Sequence, residues 1–202
     1  MTLQVWALKV GELKPLSRGG LLLLAARCAI RVEPWLPPGA DALWHLGLTH
    51  VAAVAFDAPA PSKPAAKLAR ELSNRGAKAS SLLAATDEPL GQCMNYAALA
   101  LGAAVEATSL DGGSTLKKAV LASAKLSASI AAVLGHAGRV RVPTGKDPVA
   151  VACVAIWDAI RADITSVAAA SADLEIAKDR IRALREHAAL WVGRPPRWAS
   201  PR

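Results

Sequence analysis

The chain has 202 residues, of which 53% are apolar and only 4% aromatic, and alanine alone makes up roughly a fifth of it, well above ordinary usage. Alanine has the highest helix propensity, whereas Phe and Tyr, which strands favour, occur once each, so the composition argues against a β-rich fold and predicts an all-α protein. The length fits one domain with a sizeable core, and the net charge of +8 favours partners that carry negative charge.

Prolines, glycines and capping residues divide the chain into helical segments. Glu33-Pro34 ends one segment, Asp41 caps the next, Gly76 is predicted to stop another, and Ser114 is predicted to cap a later one. The predicted helices cover about residues 3–13, 21–32, 41–56, 65–74, 77–85, 88–107, 115–136, 148–167 and 171–189. Because the segments at 3–13 and 77–85 are short and need not both count as separate helices, we interpret the chain as a single-domain bundle of seven or eight helices over residues 1–192.

Several connections carry their own signals. Asp87 with Pro89, and Asp147 with Pro148, are typical helix starts, since proline fits the first turn and the aspartate can cap it. Residues 57–65 hold three prolines and predict an extended surface connection. Residues 139–142 alternate as a strand would but have no evident partner, so we expect an extended loop. Residues 193–202 are predicted to form a basic, proline-containing tail.

The C-terminal end concentrates positive charge. Residues 178–202 carry seven basic and two acidic side chains, a net +5, which leaves +3 for the rest of the chain. Such an end can attract nucleic acid, an acidic protein or anionic lipid, although a solvated face with a loose tail is the interpretation we favour for the charge alone. Exposed Trp and Arg are frequent hot-spot residues at interfaces. The candidate partner-binding residues are Trp35, Arg182, Arg185, Arg194, Arg197 and Trp198. Trp157, in a very apolar segment, is predicted to be core.

Cysteine and histidine give no sign of a reactive or metal site. Cys28, Cys93 and Cys153 are far apart, odd in number and embedded in apolar helices, which predicts buried, reduced thiols in a cytoplasmic protein. The four histidines lack ligand spacing and are predicted to be surface or boundary residues, so no metal and no cofactor are expected. No apolar run approaches the ~20 residues of a transmembrane helix, and residues 14–29 imitate an export signal only superficially.

One segment resembles a phosphate-binding loop without matching it. Gly145-Lys146 precedes a helix, but Val140 stands where the motif has glycine, and Asp147 stands where a Ser or Thr would hold magnesium. A carboxylate at that cap would repel phosphate. The segment therefore predicts a capped helix start rather than a nucleotide site.

Three helices are apolar except for one narrow polar stripe each. If the stripes faced one another, their charged members would form a ligand or catalytic site with perturbed pKa values. If they faced water, each would be the exposed edge of a central helix, which is the interpretation we favour. The candidate stripe residues are Gln92, Asn95, Glu106, Lys125, Asp158 and Arg161.

No intact catalytic motif is present, so the favoured hypothesis is a non-enzymatic helical module that binds another protein, such as an accessory subunit, an adaptor or an immunity-type inhibitor. The first alternative is nucleic-acid binding through the basic C-terminal helix and tail, because arginine contacts to phosphate need little sequence specificity. The second is an enzyme or small-ligand site on the polar stripes. A third, membrane association, has no helix with interfacial contrast to support it.

Overall fold

A computed structural model describes residues 7–36, 41–55 and 64–170. Six α-helices make up most of this part: α1 Arg18–Arg31, α2 Asp41–Ala55, α3 Ala65–Leu83, α4 Glu88–Ala107, α5 Gly113–His136 and α6 Pro148–Ala170. Short 3₁₀ turns occur at Val10–Leu13 and Glu33–Trp35. No strand occurs within these residues, so the predicted all-α class is confirmed. Over the same residues the helix count is six rather than seven or eight.

The difference in helix number has a clear physical origin at Gly76. The sequence predicts that this glycine ends a helix, but α3 continues through it to Leu83. A Cβ placed on Gly76 would lie 2.6 Å from the Ala98 Cβ and 3.3 Å from the Asn95 Cα, so the glycine permits close packing of α3 on α4. In the N-terminal segment the described part holds only a 3₁₀ turn, and the helix predicted at 171–189 lies outside the described residues.

Aspartate caps set the observed starts of α4 and α6. Asp87 accepts a hydrogen bond from the Leu90 amide at 3.0 Å, and Asp147 accepts one from the Val149 amide at 3.0 Å, which confirms both predicted starts. The prediction that Ser114 caps α5 is wrong. Gly112 occupies that position with φ 130° and offers no side chain, because the chain reverses direction there through backbone that only glycine adopts easily.

Helices α1, α4 and α5 form the centre of the bundle. Most of α1 is buried, and it packs against all of α2, α4, α5 and α6. Two hydroxyls of α5 bridge the central helices: Ser123 donates to the Ala100 carbonyl at 2.8 Å, and Ser127 donates to the Cys28 carbonyl at 2.9 Å. Because these hydroxyls are fully buried, their hydrogen bonds fix how α5 sits on its neighbours.

The core confirms the predicted positions of Trp157 and the cysteines. Trp157 is buried, and all three cysteines are buried free thiols. Burial raises the pKa of both Cys28 and Cys93 to about 12. Since the thiolate is the nucleophile, these two side chains stay protonated and unreactive at neutral pH.

Only α5, of the helices described, is long and apolar enough to cross a membrane by length and composition. Of its most apolar window, 56% is buried inside the bundle, and a core helix meets the same two criteria.

Candidate functional site

The polar stripe of α4 does not form a single site. Gln92 is half-buried and donates to Glu88 at 3.0 Å, one turn earlier on the same helix. Asn95 lies where α3 crosses α4, with its backbone close to Gly76. Glu106 is exposed near the C-terminal end of α4. The three residues therefore lie in three different environments: Gln92 pairs within its own helix, Asn95 packs at the α3–α4 crossing, and Glu106 faces solvent.

The stripes of α5 and α6 also face outward. Lys125 is exposed, and no hydrogen bond or ion pair within the described ranges joins it or Glu106 to another stripe. Arg161 bonds Glu12 at 3.0 Å and Asp158 at 3.5 Å, with about a third or more of each side chain exposed. Burial alone would raise the pKa of Glu12, but hydrogen bonds from the Lys9 amide and Arg161 bring it below its usual value. This group fastens the N-terminal segment to α6.

The predicted partner-binding residues fare differently. Trp35 is only 2% exposed in the short turn after α1, so the expectation that it is an exposed residue is wrong: its indole fills the core beside α4. The remaining candidates, which are Arg182, Arg185, Arg194, Arg197 and Trp198, lie outside the described residues.

A buried ionic cluster joins α1 to α6, and sequence analysis missed it. Arg27 donates a hydrogen bond to one Asp163 carboxylate oxygen at 3.1 Å. Arg31 donates two to the other oxygen, from its Nε at 3.0 Å and its Nη2 at 2.6 Å. The exposed fractions of these side chains are 14%, 3% and 7% for Arg27, Arg31 and Asp163. The available signal was two arginines four residues apart in an otherwise apolar helix, which places both on one face.

This cluster carries an excess of positive charge. Two guanidinium groups share one carboxylate, and within the described ranges the buried Nε of Arg27 and Nη1 of Arg31 have no hydrogen-bond partner. Arg31 also donates to the Ala159 carbonyl at 3.3 Å, one turn before Asp163. All the described hydrogen-bond partners of the cluster belong to α1 or α6, so the cluster holds those two helices together.

A second buried polar group contradicts the prediction that all histidines lie at the surface or boundary. His50 of α2 is 5% exposed, and its Nε2 lies 3.1 Å from the Thr108 hydroxyl. That hydroxyl donates to the Val105 carbonyl at 2.6 Å, so His50 must donate to Thr108. Arg18 of α1 donates to the Thr108 and Leu110 carbonyls and so caps the end of α4.

The His50 side chain predicts a pH dependence of stability. Burial lowers the pKa of His50 below its ordinary value of 6.5, because the charged imidazolium is poorly solvated there. The unfolded chain therefore binds the extra proton first, and stability present above pH 6.5 is lost as pH falls from there toward the folded pKa. We expect a slope of at most ~1.4 kcal/mol per pH unit in urea unfolding.

His50→Gln, which keeps an N–H for Thr108, removes that slope, whereas His45→Gln on the exposed side of α2 leaves it unchanged. Parallel pH profiles for the wild type and His50→Gln, measured by chemical denaturation, would show that other groups cause the acid sensitivity.

Of the described helices, α3 has the most exposed residues. This helix packs on α4 and, at fewer positions, on α2, and leaves the opposite side to solvent. We call this side the α3 outer face; its residues span about half of the helix circumference. They are Lys67, Arg70, Asn74, Arg75, Ala77, Lys78, Ser81 and Leu82, all exposed.

The α3 outer face is basic and ends on an apolar side chain. Across α3, four basic residues and the single acidic residue Glu71 give a net charge of +3. Leu82 is 72% exposed, whereas Val10, the other large exposed hydrophobic side chain in the described residues, is 38% exposed. Sequence analysis missed this face because it divided α3 into two helices at Gly76, which separated Arg75 from Lys78 and Leu82.

The fold and these polar groups define the chain as an all-α helical bundle with structural ion pairs inside and a basic helix face outside. Comparison with protein-family models, curated proteins and solved structures finds no match for the chain.

Proposed function

We propose that the chain is a non-enzymatic helical module that binds another protein through the α3 outer face. The observation that carries this proposal is Leu82, a leucine left 72% exposed at the end of a row of basic side chains on a helix that packs from one side only. Charged rims around an apolar anchor are what protein interfaces commonly present.

The state of the polar groups supports a binding role over a catalytic one. A catalytic nucleophile or base needs a second group that orients it. In the described part of the chain, the buried Asp163 is saturated by two arginines, and the Cys28 and Cys93 thiols are held protonated. Among the residues that the structure describes, no side chain orients the exposed Glu106 or Lys125 in this way. The exposed polar side chains of the described residues are therefore better suited to binding a partner than to catalysis.

Affinity purification of the tagged full chain from its native cells tests the proposal. The lysate is treated with nuclease, and enriched proteins are compared with those bound to Leu82→Arg combined with Lys78→Glu. We expect a defined protein in a stoichiometric complex with the wild type, a loss of about tenfold or more with the variant, and chemical cross-links from that partner to Lys67 or Lys78.

Lys125→Glu with Val10→Arg serves as the matched control, since it makes the same changes of type on other exposed surfaces. The proposal is wrong if the wild type is recovered alone and monodisperse by light scattering, or if the complex survives both variants equally. Recovery of nucleic acid instead, lost on nuclease treatment, would support the alternative drawn from the basic C-terminal residues.

A further inference from the structure

We propose that the partner segment that docks on the α3 outer face is an acidic protein surface with an apolar side chain that packs on Leu82. This inference rests on the proposed function and specifies the chemistry of the partner. It commits to protein, as opposed to nucleic acid or lipid, from the charge, shape and composition of α3.

Charge supplies the first argument. The net +3 of α3 lies on one exposed face, and the N-terminal end of the helix adds to it. The first turn contains no acidic residue, Pro64 provides no side-chain cap, and Lys67 stands in that turn. Because a helix N-terminus itself carries partial positive charge, this end of α3 is uncompensated and favours carboxylates brought by a partner.

The packing of α3 argues against a membrane as the occupant. Interfacial helices insert an apolar face into lipid. The apolar side of α3, which includes Leu68 and Leu72, is already buried in the bundle. Gly76 and Gly91 bring α3 and α4 so close that a Cβ on either would meet the other helix within 3.0 Å. The helix therefore presents a fixed polar surface and has no free apolar face to insert.

Composition argues against nucleic acid as the occupant. Binding of single strands relies on aromatic side chains that stack on bases, and α3 contains none. Phosphate contacts to a duplex would engage Lys67, Arg70 and Lys78 but give no role to Leu82, whose exposure costs solubility. A protein surface uses both the charges and the leucine.

Purified full-length chain and labelled probes test this inference directly. The first probe is a short peptide of glutamates with leucines at helical spacing, and the second replaces each leucine by serine at equal charge. A single-stranded and a duplex oligonucleotide of similar charge are the competing probes. By fluorescence anisotropy, we expect the leucine-containing peptide to bind most tightly, with affinity that falls as salt rises.

Variants locate the binding on α3. Lys67→Glu, Arg70→Glu and Lys78→Glu together should weaken peptide binding by about tenfold or more, since each exposed ion pair contributes only a few-fold. Leu82→Ser should weaken the leucine-containing peptide about fivefold and leave the serine-containing one unchanged. Arg75 is left untouched, because it has another contact in the fold.

The control triple variant is Lys118→Glu, Lys125→Glu and Lys146→Glu, which changes net charge equally at exposed positions away from α3. If the α3 triple variant and the control triple variant lose peptide affinity equally, overall charge governs binding and the inference is overturned. Tighter binding of either oligonucleotide, lost in the α3 triple, would also overturn it by assigning the face to nucleic acid. Either result leaves the proposed function to its own co-purification test, whereas a native partner with a basic contact surface would refute this inference alone.

Discussion

Asp163→Asn should lower the free energy of unfolding by about 3–5 kcal/mol, because it leaves two buried guanidinium groups without a counter-charge. Arg31 is 3% exposed, and two of the three hydrogen bonds that it makes within the described residues go to this carboxylate. An amide offers one acceptor oxygen where the carboxylate offers two, so either Arg27 or Arg31 loses its partner. The measurement is urea unfolding followed by far-ultraviolet circular dichroism, with the two proteins compared at the same denaturant slope.

Asp158→Asn provides a close control on the same helix. Asp158 is 68% exposed and pairs with Arg161 at 3.5 Å, so its loss should cost less than about 1 kcal/mol. A similar small cost for Asp163→Asn would contradict the view that the cluster is buried and coupled. Such a result would mean that water reaches Arg27 and Arg31 and replaces the carboxylate.

The cluster also predicts a rescue. Substitution of all three members by apolar residues of similar length, as Arg27→Met, Arg31→Met and Asp163→Leu, should recover most of the stability lost in Asp163→Asn. Burial of charge is expensive, and an intact apolar set often matches or exceeds a buried ion pair. If the triple variant stays as unstable as Asp163→Asn, the hydrogen-bond geometry itself holds α1 to α6.

The sequence predicted the features that local interactions determine. Alanine content and the scarcity of aromatic strand formers predicted the all-α class, and the starts at Asp87 and Asp147 were correct because an aspartate cap bonds backbone within three residues of itself. Gly138 ends α5 in the same local way: with φ 65°, it lets the Arg139 amide donate to the Leu134 carbonyl at 2.9 Å. Each of these helix boundaries depends on residues within about one helical turn of one another.

Features that depend on the neighbouring helix were not predictable in the same way. From the sequence alone, Gly76 resembles the end of a helix. In the structure its lack of a side chain allows Ala98 of α4 to pack closely against α3. Trp35 follows a proline and looks exposed, yet α4 covers it. His50 looks polar enough for the surface, but a partner 58 residues away, Thr108, satisfies one of its nitrogens inside the core.

The ion pairs of α6 also depend on contacts between helices that the sequence alone does not reveal. The helical periodicity placed Asp158 and Arg161 among the stripe residues, whereas Asp163 lies on a different side of α6. Periodicity could not show that the side of α6 that carries Asp163 faces α1. Its partners there, Arg27 and Arg31, lie more than a hundred residues earlier in the chain. Nor could periodicity show that Arg161 reaches Glu12. Ion pairs between distant segments depend on helix order, which no periodicity within one helix specifies.

Gly135→Ala should destabilise the protein by about 2 kcal/mol, although alanine is by itself the better helix former by about 1 kcal/mol. A Cβ at this position would lie 2.6 Å from the Val149 Cα and 2.9 Å from the Val149 amide nitrogen. Both are backbone atoms of α6, so no side-chain rotation relieves the overlap. The end of α5 and the start of α6 must separate, which loosens the packing of Leu134 in the core.

Gly11→Ala separates this steric effect from the general effect of replacing glycine. No atom lies within 4 Å of a Cβ at Gly11, so the substitution should be neutral or stabilise by a few tenths of a kcal/mol through the unfolded chain. Urea unfolding of both variants tests the comparison. Equal stabilisation by the two substitutions would show that α5 and α6 do not touch at Gly135, which would contradict the close approach of Gly135 to Val149.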